Sequence, residues 1–310
     1  MNRKLSSLLI ILITFFFLIE FLRDSENLLK VFFNTIKLCF DNLFPSIFIF
    51  FLITDILNNY NFPYYLSKIF GKLTKKIYRL PEESTYVLFM SMFSGFPGNS
   101  KLIKEELDNK IITNYDATRL LTMTHFSNPL FIVYSVGINF FHNKKIGLII
   151  LFSHFITNFI IGYLFRKIYK TDIKETIYHF HKSKKFISLL KDSFSNTFNI
   201  LINVLGIIIF FAIITSTLNK YLHLTTFSNV IINGLIEITN GLKLLSLENI
   251  SKIKAASIAT FFISFGGFSI HAQIMSILTK YDINYYIYLL SRILHATISS
   301  IITYIILINS

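Results

Sequence analysis

The 310-residue sequence contains no tryptophan and one cysteine, Cys39. A single cysteine excludes an intrachain disulfide and any cysteine-rich metal site. The sequence also lacks a histidine–glutamate cluster with metal-ligand spacing, a Ser/His/Asp arrangement on facing elements, and a glycine loop that ends in GK[ST]. We therefore expect a protein that is not an enzyme and that holds no metal and no cofactor.

Charged residues make up only 15% of the chain, whereas hydrophobic residues make up 53% and the mean hydropathy is +0.57. Several apolar runs approach the ~20 residues that cross a bilayer. The net charge of +13 could suggest nucleic acid. However, the basic residues lie mostly between apolar runs, which is the positive-inside pattern of membrane proteins. The composition predicts an all-α, polytopic helical membrane protein that lies in a lipid bilayer and binds no nucleic acid.

The apolar runs divide the chain into four parts. The first is an uncleaved transmembrane helix with its loop and a cytoplasmic N-terminus, and the third is a basic cytoplasmic connection between two repeats. The four parts are residues 1–27, the first repeat 28–168, the connection 169–191 and the second repeat 192–310. In the first repeat, Pro45 predicts a kink. The basic, amphipathic stretch Tyr64–Arg79 predicts a helix in the membrane interface or a cytoplasmic loop helix.

The stretch SGFPGNSK, residues 94–101, interrupts an apolar run with two glycines and a proline. Two apolar helices follow, at 115–141 and 146–165, and together they use two crossings. If the basic connections on both sides are cytoplasmic, residues 84–114 make no net crossing. We therefore predict a re-entrant hairpin over 84–107 with SGFPGN at its tip, surrounded by protein or by a water-filled cavity.

The second half repeats this organisation, and GGFSIHAQ aligns with the first tip, so we predict a second hairpin over 255–279. Residues 225–247 either span the membrane or lie at its interface. The interfacial alternative, which we prefer, makes the two repeats inverted. Paired broken helices at matching positions of two repeats indicate the binding site of a secondary transporter. The helix N-terminal amides freed at each break favour an anion or a carbonyl-rich solute.

Four motifs carry a family resemblance, namely SGFPGNSKL, RLLTMTHFSNPLF, LIEITNG and SFGGFSIHAQ. In this order, over roughly residues 30 to 305, they resemble the sporulation integral membrane proteins of the YlbJ type. That family belongs to the nucleoside-recognition or Gate-domain group, which is distantly like the concentrative nucleoside transporters. The resemblance implies two re-entrant hairpins in inverted repeats. It also implies export of dipicolinate across the mother-cell (outer forespore) membrane toward the forespore. His125 and Phe126 depart from the pattern, which would have smaller polar residues there.

The predicted substrate site combines polar and glycine residues of both breaks with Asn128, the residue before Pro129. Its members are Ser94, Gly95, Gly98, Asn99, Ser100, Lys101, Asn128, Gly266, Gly267, His271 and Gln273. Coupling to protons or cations is predicted for Glu237, Asn240 and His271. Structural alternatives stay open: Asn99 and Ser100 as helix caps, Lys101 as a partner of Glu105, Asn128 as a kink, and His271 as a packing histidine.

The sequence thus predicts a multi-pass cell-membrane transporter that moves a small anionic solute by alternating access and is needed for endospore formation. Two alternatives remain. One is a non-transporting sporulation factor that recruits proteins through its basic loops, and the other is a nucleoside transporter. Self-association and association with other sporulation membrane proteins also stay open.

Overall fold

A computed structural model describes residues 3–169, 183–222 and 225–310, so most of the predicted basic connection lies outside the described residues. Within these ranges every regular element is helical, which confirms the predicted all-α class. The α-helices are α1 Arg3–Arg23, α2 Ser25–Asn42, α3 Phe44–Asn59, α4 Phe62–Tyr78, α5 Ser84–Ser94, α6 Gly98–Asp108, α7 Asn114–Met123, α8 Lys144–Phe165, α9 Phe186–Leu222, α10 Thr226–Ile236, α11 Ile238–Leu247, α12 Lys252–Phe265, α13 Gly267–Ile277 and α14 Tyr285–Ile308. A π-helix, Phe131–Phe140, lies between α7 and α8.

Four of these segments are long and apolar enough to cross a membrane: α8, α9, α12 together with α13, and α14. The pair α2 and α3 adds a fifth when it is counted as one span with a 51° bend. Pro45 lies in the first turn of α3, where a proline is tolerated but cannot continue the preceding helix. The protein is therefore a polytopic helical membrane protein, with the bend at the predicted proline.

The helix ends that are joined by the basic connections lie together at one end of the bundle. Arg119, in the middle of α7, donates hydrogen bonds to the carbonyls of Tyr78, Arg79 and Arg166, which lie at the ends of α4 and α8. At the same end, the backbone N–H of Asn284 donates to Thr118 Oγ1 at 3.2 Å. The positive-inside rule assigns this end to the cytoplasm.

Other contacts define the opposite end. Lys145, at the start of α8, lies 3.4 Å from the carbonyl of Ser310 at the end of α14. Lys220, near the end of α9, pairs with Glu20, near the end of α1, at 3.2 Å. The N-terminus of α1 therefore points toward the end that carries the basic connections, and the cytoplasmic location of that end stays a prediction.

The chain reverses between α5 and α6. The Tyr86 hydroxyl on α5 donates to the carbonyl of Thr54 at 3.3 Å, and Asn58 donates to Glu105 on α6 at 3.0 Å. Because Thr54 and Asn58 are one turn apart on α3, the start of α5 and the end of α6 lie side by side. Ser84–Asp108 is thus a helical hairpin with its tip at residues 95–97. That it dips into the membrane stays a prediction.

The second half differs from the prediction of a hairpin over 255–279. Lys252–Ile277 runs through as one 26-residue segment that is interrupted at Gly266. Gly266 and Gly267 have φ of +90° and +61°, which glycine adopts without steric cost, and here they offset the helix without reversing it.

The reversal in the second half instead involves α10 and α11, which are joined at Glu237. These helices pack so closely that a Cβ on Gly241 would lie 2.2 Å from the Cα of Gly234. Residues 225–247 are therefore neither one straight span nor a counterpart of α4. They form the second helical hairpin.

Two structural repeats follow from this arrangement. Each consists of a hairpin, a broken segment and an unbroken helix. In the first repeat these are α5–α6, α7 with the π-helix, and α8. In the second repeat they are α10–α11, α12–α13 and α14. Phe126-Ser127 and Phe268-Ser269 stand at equivalent places in the two broken segments. The repeats also interlock, because α6 contacts α13 of the other repeat and α11 contacts the π-helix. The predicted correspondence between residues 94–96 and 266–268 is replaced by one between the first tip and Glu237.

Candidate functional site

The two broken segments meet at their breaks. His125 lies in the non-helical residues 124–128, and a Cβ on Gly266 would come within 2.5 Å of its Nε2 atom. The other ring nitrogen of His125 is 3.0 Å from the hydroxyl of Tyr288 on α14. The ring of Phe96, at the first hairpin tip, packs on the His125 ring with centroids 4.7 Å apart. The centre of the protein is therefore made of loops that break helices, brought together from both repeats.

Each break is held by the tip of the hairpin in its own repeat. In the first repeat, the N–H of Phe96 donates to the Phe126 carbonyl at 2.9 Å, and the Asn128 amide donates to the Phe93 carbonyl at 2.9 Å. In the second repeat, a Cβ on Gly267 would lie 3.3 Å from the Ile236 carbonyl, beside Glu237. Asn128 and Gly267 of the predicted site therefore serve the contact between tip and break.

A network of buried histidines surrounds this centre, and apart from His271 its members were not in the predicted site. His154 on α8 accepts from the N–H of Ser127 at 2.9 Å and donates to Ser264 at 2.8 Å, so its proton is assigned to Nδ1. His295 on α14 donates through Nε2 to the His154 carbonyl at 2.9 Å. Its Nδ1 accepts from Arg292 at 2.9 Å. The sequence signal for these residues is the presence of histidine and arginine inside apolar runs. Such side chains are costly in a membrane and are usually functional.

Predicted residue His271 on α13 uses both ring nitrogens. One is 2.9 Å from the Phe265 carbonyl, and the other is 3.1 Å from the Tyr285 hydroxyl. The first contact bridges the Gly266 break from one side to the other, so His271 ties α13 to the end of α12.

At the first hairpin tip, most predicted polar side chains bond locally. Ser94 donates to the Met90 carbonyl at 3.1 Å, and Ser100 donates to the Pro97 carbonyl at 2.6 Å. Gly98 lies against Ser94, since its Cβ would be 2.7 Å from the serine hydroxyl. Asn99 differs: its side chain is fully buried, and neither polar atom has a hydrogen-bond partner in the described part of the chain. Asn99 therefore keeps free hydrogen-bonding capacity beside the tip.

A cavity with a volume of about 550 Å³ lies between α6, α9 and α13. Lys101 and Gln273 of the predicted site line it, as do Asn196, Asn199 and Asn203 of α9. Lys101 forms an ion pair with Asp55 of α3. Glu105, the partner of Lys101 in the structural alternative above, lies 4.0 Å from it. A volume of about 300–1,000 Å³ is typical of small-molecule sites. The cavity can therefore hold a small solute between the first hairpin and the second repeat.

The predicted coupling residues lie at the second tip. Glu237 is 1% exposed and accepts hydrogen bonds from the N–H groups of Thr239 at 3.1 Å and Asn240 at 2.8 Å. It is thus the N-cap of α11, and Asn240 contributes its backbone. Within the described ranges, no group of three or more His, Cys, Asp or Glu residues is arranged to hold a metal ion.

Seven of the eleven predicted substrate-site residues lie in two places. Gly95, Asn128, Gly266, Gly267 and His271 surround the central breaks, whereas Lys101 and Gln273 line the cavity.

The fold and these two places define a polytopic helical membrane protein with paired hairpins and paired broken segments. No family model matches the sequence, and no solved structure matches it. Among curated proteins, the chain is similar to the sporulation integral membrane protein YlbJ of Bacillus subtilis (strain 168). The two are 25% identical over 299 residues, which cover 84% of this chain and 72% of that protein. This similarity supports the resemblance to the YlbJ type that the four motifs indicate.

Proposed function

We propose that the protein is a transporter of endospore formation that moves a small anionic solute across a membrane by alternating access. The similarity to a sporulation integral membrane protein supports the process. The paired hairpins and broken segments support the mechanism, because secondary transporters bind solutes where such breaks meet.

One observation carries the mechanism: a solute-sized cavity lies where the two repeats meet. The cavity of about 550 Å³ lies between α6 of the first hairpin, α13 of the second broken segment, and α9. A second pocket, of about 30 Å³, is lined by residues of α9, α11 and α13 together with Ile47 and Phe131. Gln273 and Val204 line both. A cavity between the hairpin of one repeat and the broken segment of the other is the position expected for the solute of a secondary transporter.

The larger of these two cavities lies toward the end of the bundle that carries the basic connections. Lys104, which lines it, pairs with Asp108 at 2.5 Å, and Asp108 also accepts a hydrogen bond from Tyr281 in the loop before α14. The bundle contacts and the positive-inside rule assign that end to the cytoplasm. We infer loading from the cytoplasm and release after the hairpins and breaks exchange their packing. In a sporulating mother cell, this direction leads toward the forespore.

The resemblance to the YlbJ type implies dipicolinate as the solute. The test is flux of labelled dipicolinate and labelled uridine into proteoliposomes that contain the purified protein, with and without a pH gradient. We expect saturable dipicolinate flux that exceeds uridine flux. Uridine flux alone would favour the nucleoside alternative, and no flux of either solute would overturn the proposed transport.

The site can be tested in Bacillus subtilis cells that lack YlbJ and express this chain. We expect Lys101→Ala and His271→Ala to lower spore dipicolinate severalfold while the protein remains in the membrane. Removing Lys101 leaves Asp55 unpaired beside the cavity, and removing His271 opens the α12–α13 break. Lys145→Ala, at the opposite end of the bundle, is the matched control. Normal spore dipicolinate in both site variants would refute the site assignment.

A further inference from the structure

Three asparagines form a line on α9. Asn196, Asn199 and Asn203 are three and four residues apart, so they share one helix face. All three line the cavity of about 550 Å³, and all three are exposed. On other sides of the same helix, Thr197 and Leu201 are buried against the bundle. An apolar helix therefore presents a row of carboxamides, the asparagine face, to the cavity.

The asparagine face has free hydrogen-bonding capacity. No described residue hydrogen-bonds to the side chains of these three asparagines. An unpaired amide in an apolar environment is energetically costly. Three of them on one membrane helix face are consistent with contact to water or to a polar solute.

The charged residues of the cavity are, by contrast, already paired. Lys101 pairs with Asp55, and Lys104 pairs with Asp108 at 2.5 Å. Glu105 accepts a hydrogen bond from Asn58 at 3.0 Å. The carboxamides of the cavity wall, including that of Gln273 on the facing helix α13, have no such charged partner among the described residues.

The aligned stretch of the first repeat carries polar residues at the same three positions. Asn34-Thr35 aligns with Asn196-Thr197, and the positions that correspond to Asn199 and Asn203 are Lys37 and Asp41. All three residues of α2 are exposed. The polar face thus recurs in both repeats, but it is uncharged only in α9.

We propose that the asparagine face of α9, with Gln273, selects the solute and binds carboxylate oxygens through neutral N–H donors instead of an ion pair with Lys101 or Lys104. The ligand class is a small, planar carboxylate with several hydrogen-bond acceptors. This inference rests on the proposed function, because it takes the cavity as the position of the solute.

The first experiment measures dipicolinate flux in proteoliposomes for Asn199→Ala, Asn203→Ala and the double variant. We expect KM to rise about tenfold in each single variant with kcat nearly unchanged, because the carboxamides contact the solute and do not move. Asn219→Ala, on the same helix but outside the cavity, should leave KM unchanged. A KM within twofold of the wild-type value in the double variant would overturn the inference while leaving the proposed transport intact.

The second experiment does not depend on flux. Cys39 is the only cysteine, so Cys39→Ala gives a cysteine-free background. In that background we expect Asn199→Cys to react with a membrane-impermeant maleimide and dipicolinate to slow the reaction. Ile202→Cys is the control, because Ile202 is 63% exposed on the same helix but does not line the cavity. Equal labelling of the two cysteines would refute the inference whatever the flux. Protection by a solute other than dipicolinate would keep the asparagine face and reject the proposed substrate.

Discussion

Gly95→Ala tests the contact between the first hairpin tip and its break. Gly95 has φ +67° and ψ −170°, a backbone region that is essentially restricted to glycine. A Cβ at this position would lie 2.7 Å from the backbone nitrogen of Asn128 and 3.2 Å from its Cα. The obstructing atoms belong to the backbone, so no side chain can rotate away. The alanine variant must therefore strain the tip or separate it from the break.

The magnitude follows from these two effects. The backbone conformation alone costs about 1–3 kcal/mol for a residue with a Cβ. Separating the tip from the break also lengthens the bonds from Phe96 to Phe126 and from Asn128 to Phe93, each now 2.9 Å. A hydrogen bond contributes about 1 kcal/mol net, and partial loss of both brings the expected decrease in the free energy of unfolding to about 2–4 kcal/mol. That corresponds to a fall of about 30- to 700-fold in the folding equilibrium constant.

The assay is a titration of the purified protein from mild-detergent micelles into SDS, followed by circular dichroism. Gly206→Ala is the matched control, since Gly206 lies within α9 and a Cβ there would meet no atom within 4 Å. Alanine favours a helix over glycine by about 1 kcal/mol, so this control should unfold at the same or a higher SDS fraction. If Gly95→Ala loses less than about 0.5 kcal/mol, the tip does not depend on the glycine, and the reasoning is wrong.

Two further variants test other contacts. Arg119→Lys keeps the charge but cannot span the carbonyls at the ends of α4 and α8. We therefore expect the free energy of unfolding in the same SDS titration to fall by about 2–4 kcal/mol. Arg79→Lys is the control and should leave it unchanged, because Arg79 takes part through its carbonyl. An equal effect of the two substitutions would contradict this role. Glu237→Ala removes the cap of α11 and should cost about 1–2 kcal/mol, whereas Glu237→Gln keeps one acceptor and should cost less. If Glu237 also couples transport to protons, Glu237→Gln will abolish the response of flux to a pH gradient; an unchanged response limits Glu237 to capping.

The features that could be predicted from the sequence have local causes. Long apolar runs produce membrane helices in any context, because backbone groups in lipid must bond within the helix. Pro45 cannot donate a backbone hydrogen bond, so the bend at that position follows from one residue. The reversal at SGFPGN and the break before Pro129 likewise occur where glycine and proline concentrate. Lys101 and Gln273 were placed in the site because polar residues stand out in apolar repeats.

The second hairpin could not be predicted in this way. A pair of glycines at 266–267 permits either a reversal or an offset, and the sequence around it does not distinguish the two. The reversal at Glu237 depends on close approach of Gly234 and Gly241, which lie seven positions apart in the sequence and become neighbours only after the helices fold together. The asparagine face was missed for a related reason: its importance depends on the cavity that α6 and α13 form beside α9.

This correction changes how the breaks relate to the proposed transport. If the hairpins lay over 84–107 and 255–279 as predicted, the two glycine-rich tips would face each other across a solute. In the structure each tip instead holds the break of its own repeat, and the breaks contact each other through His125 and Gly266. The hairpins reach across to the opposite repeat through their second arms, α6 on α13 and α11 on the π-helix. In the proposed alternating-access cycle, we therefore expect these two arm contacts to change while the tip and break of each repeat move together as one unit.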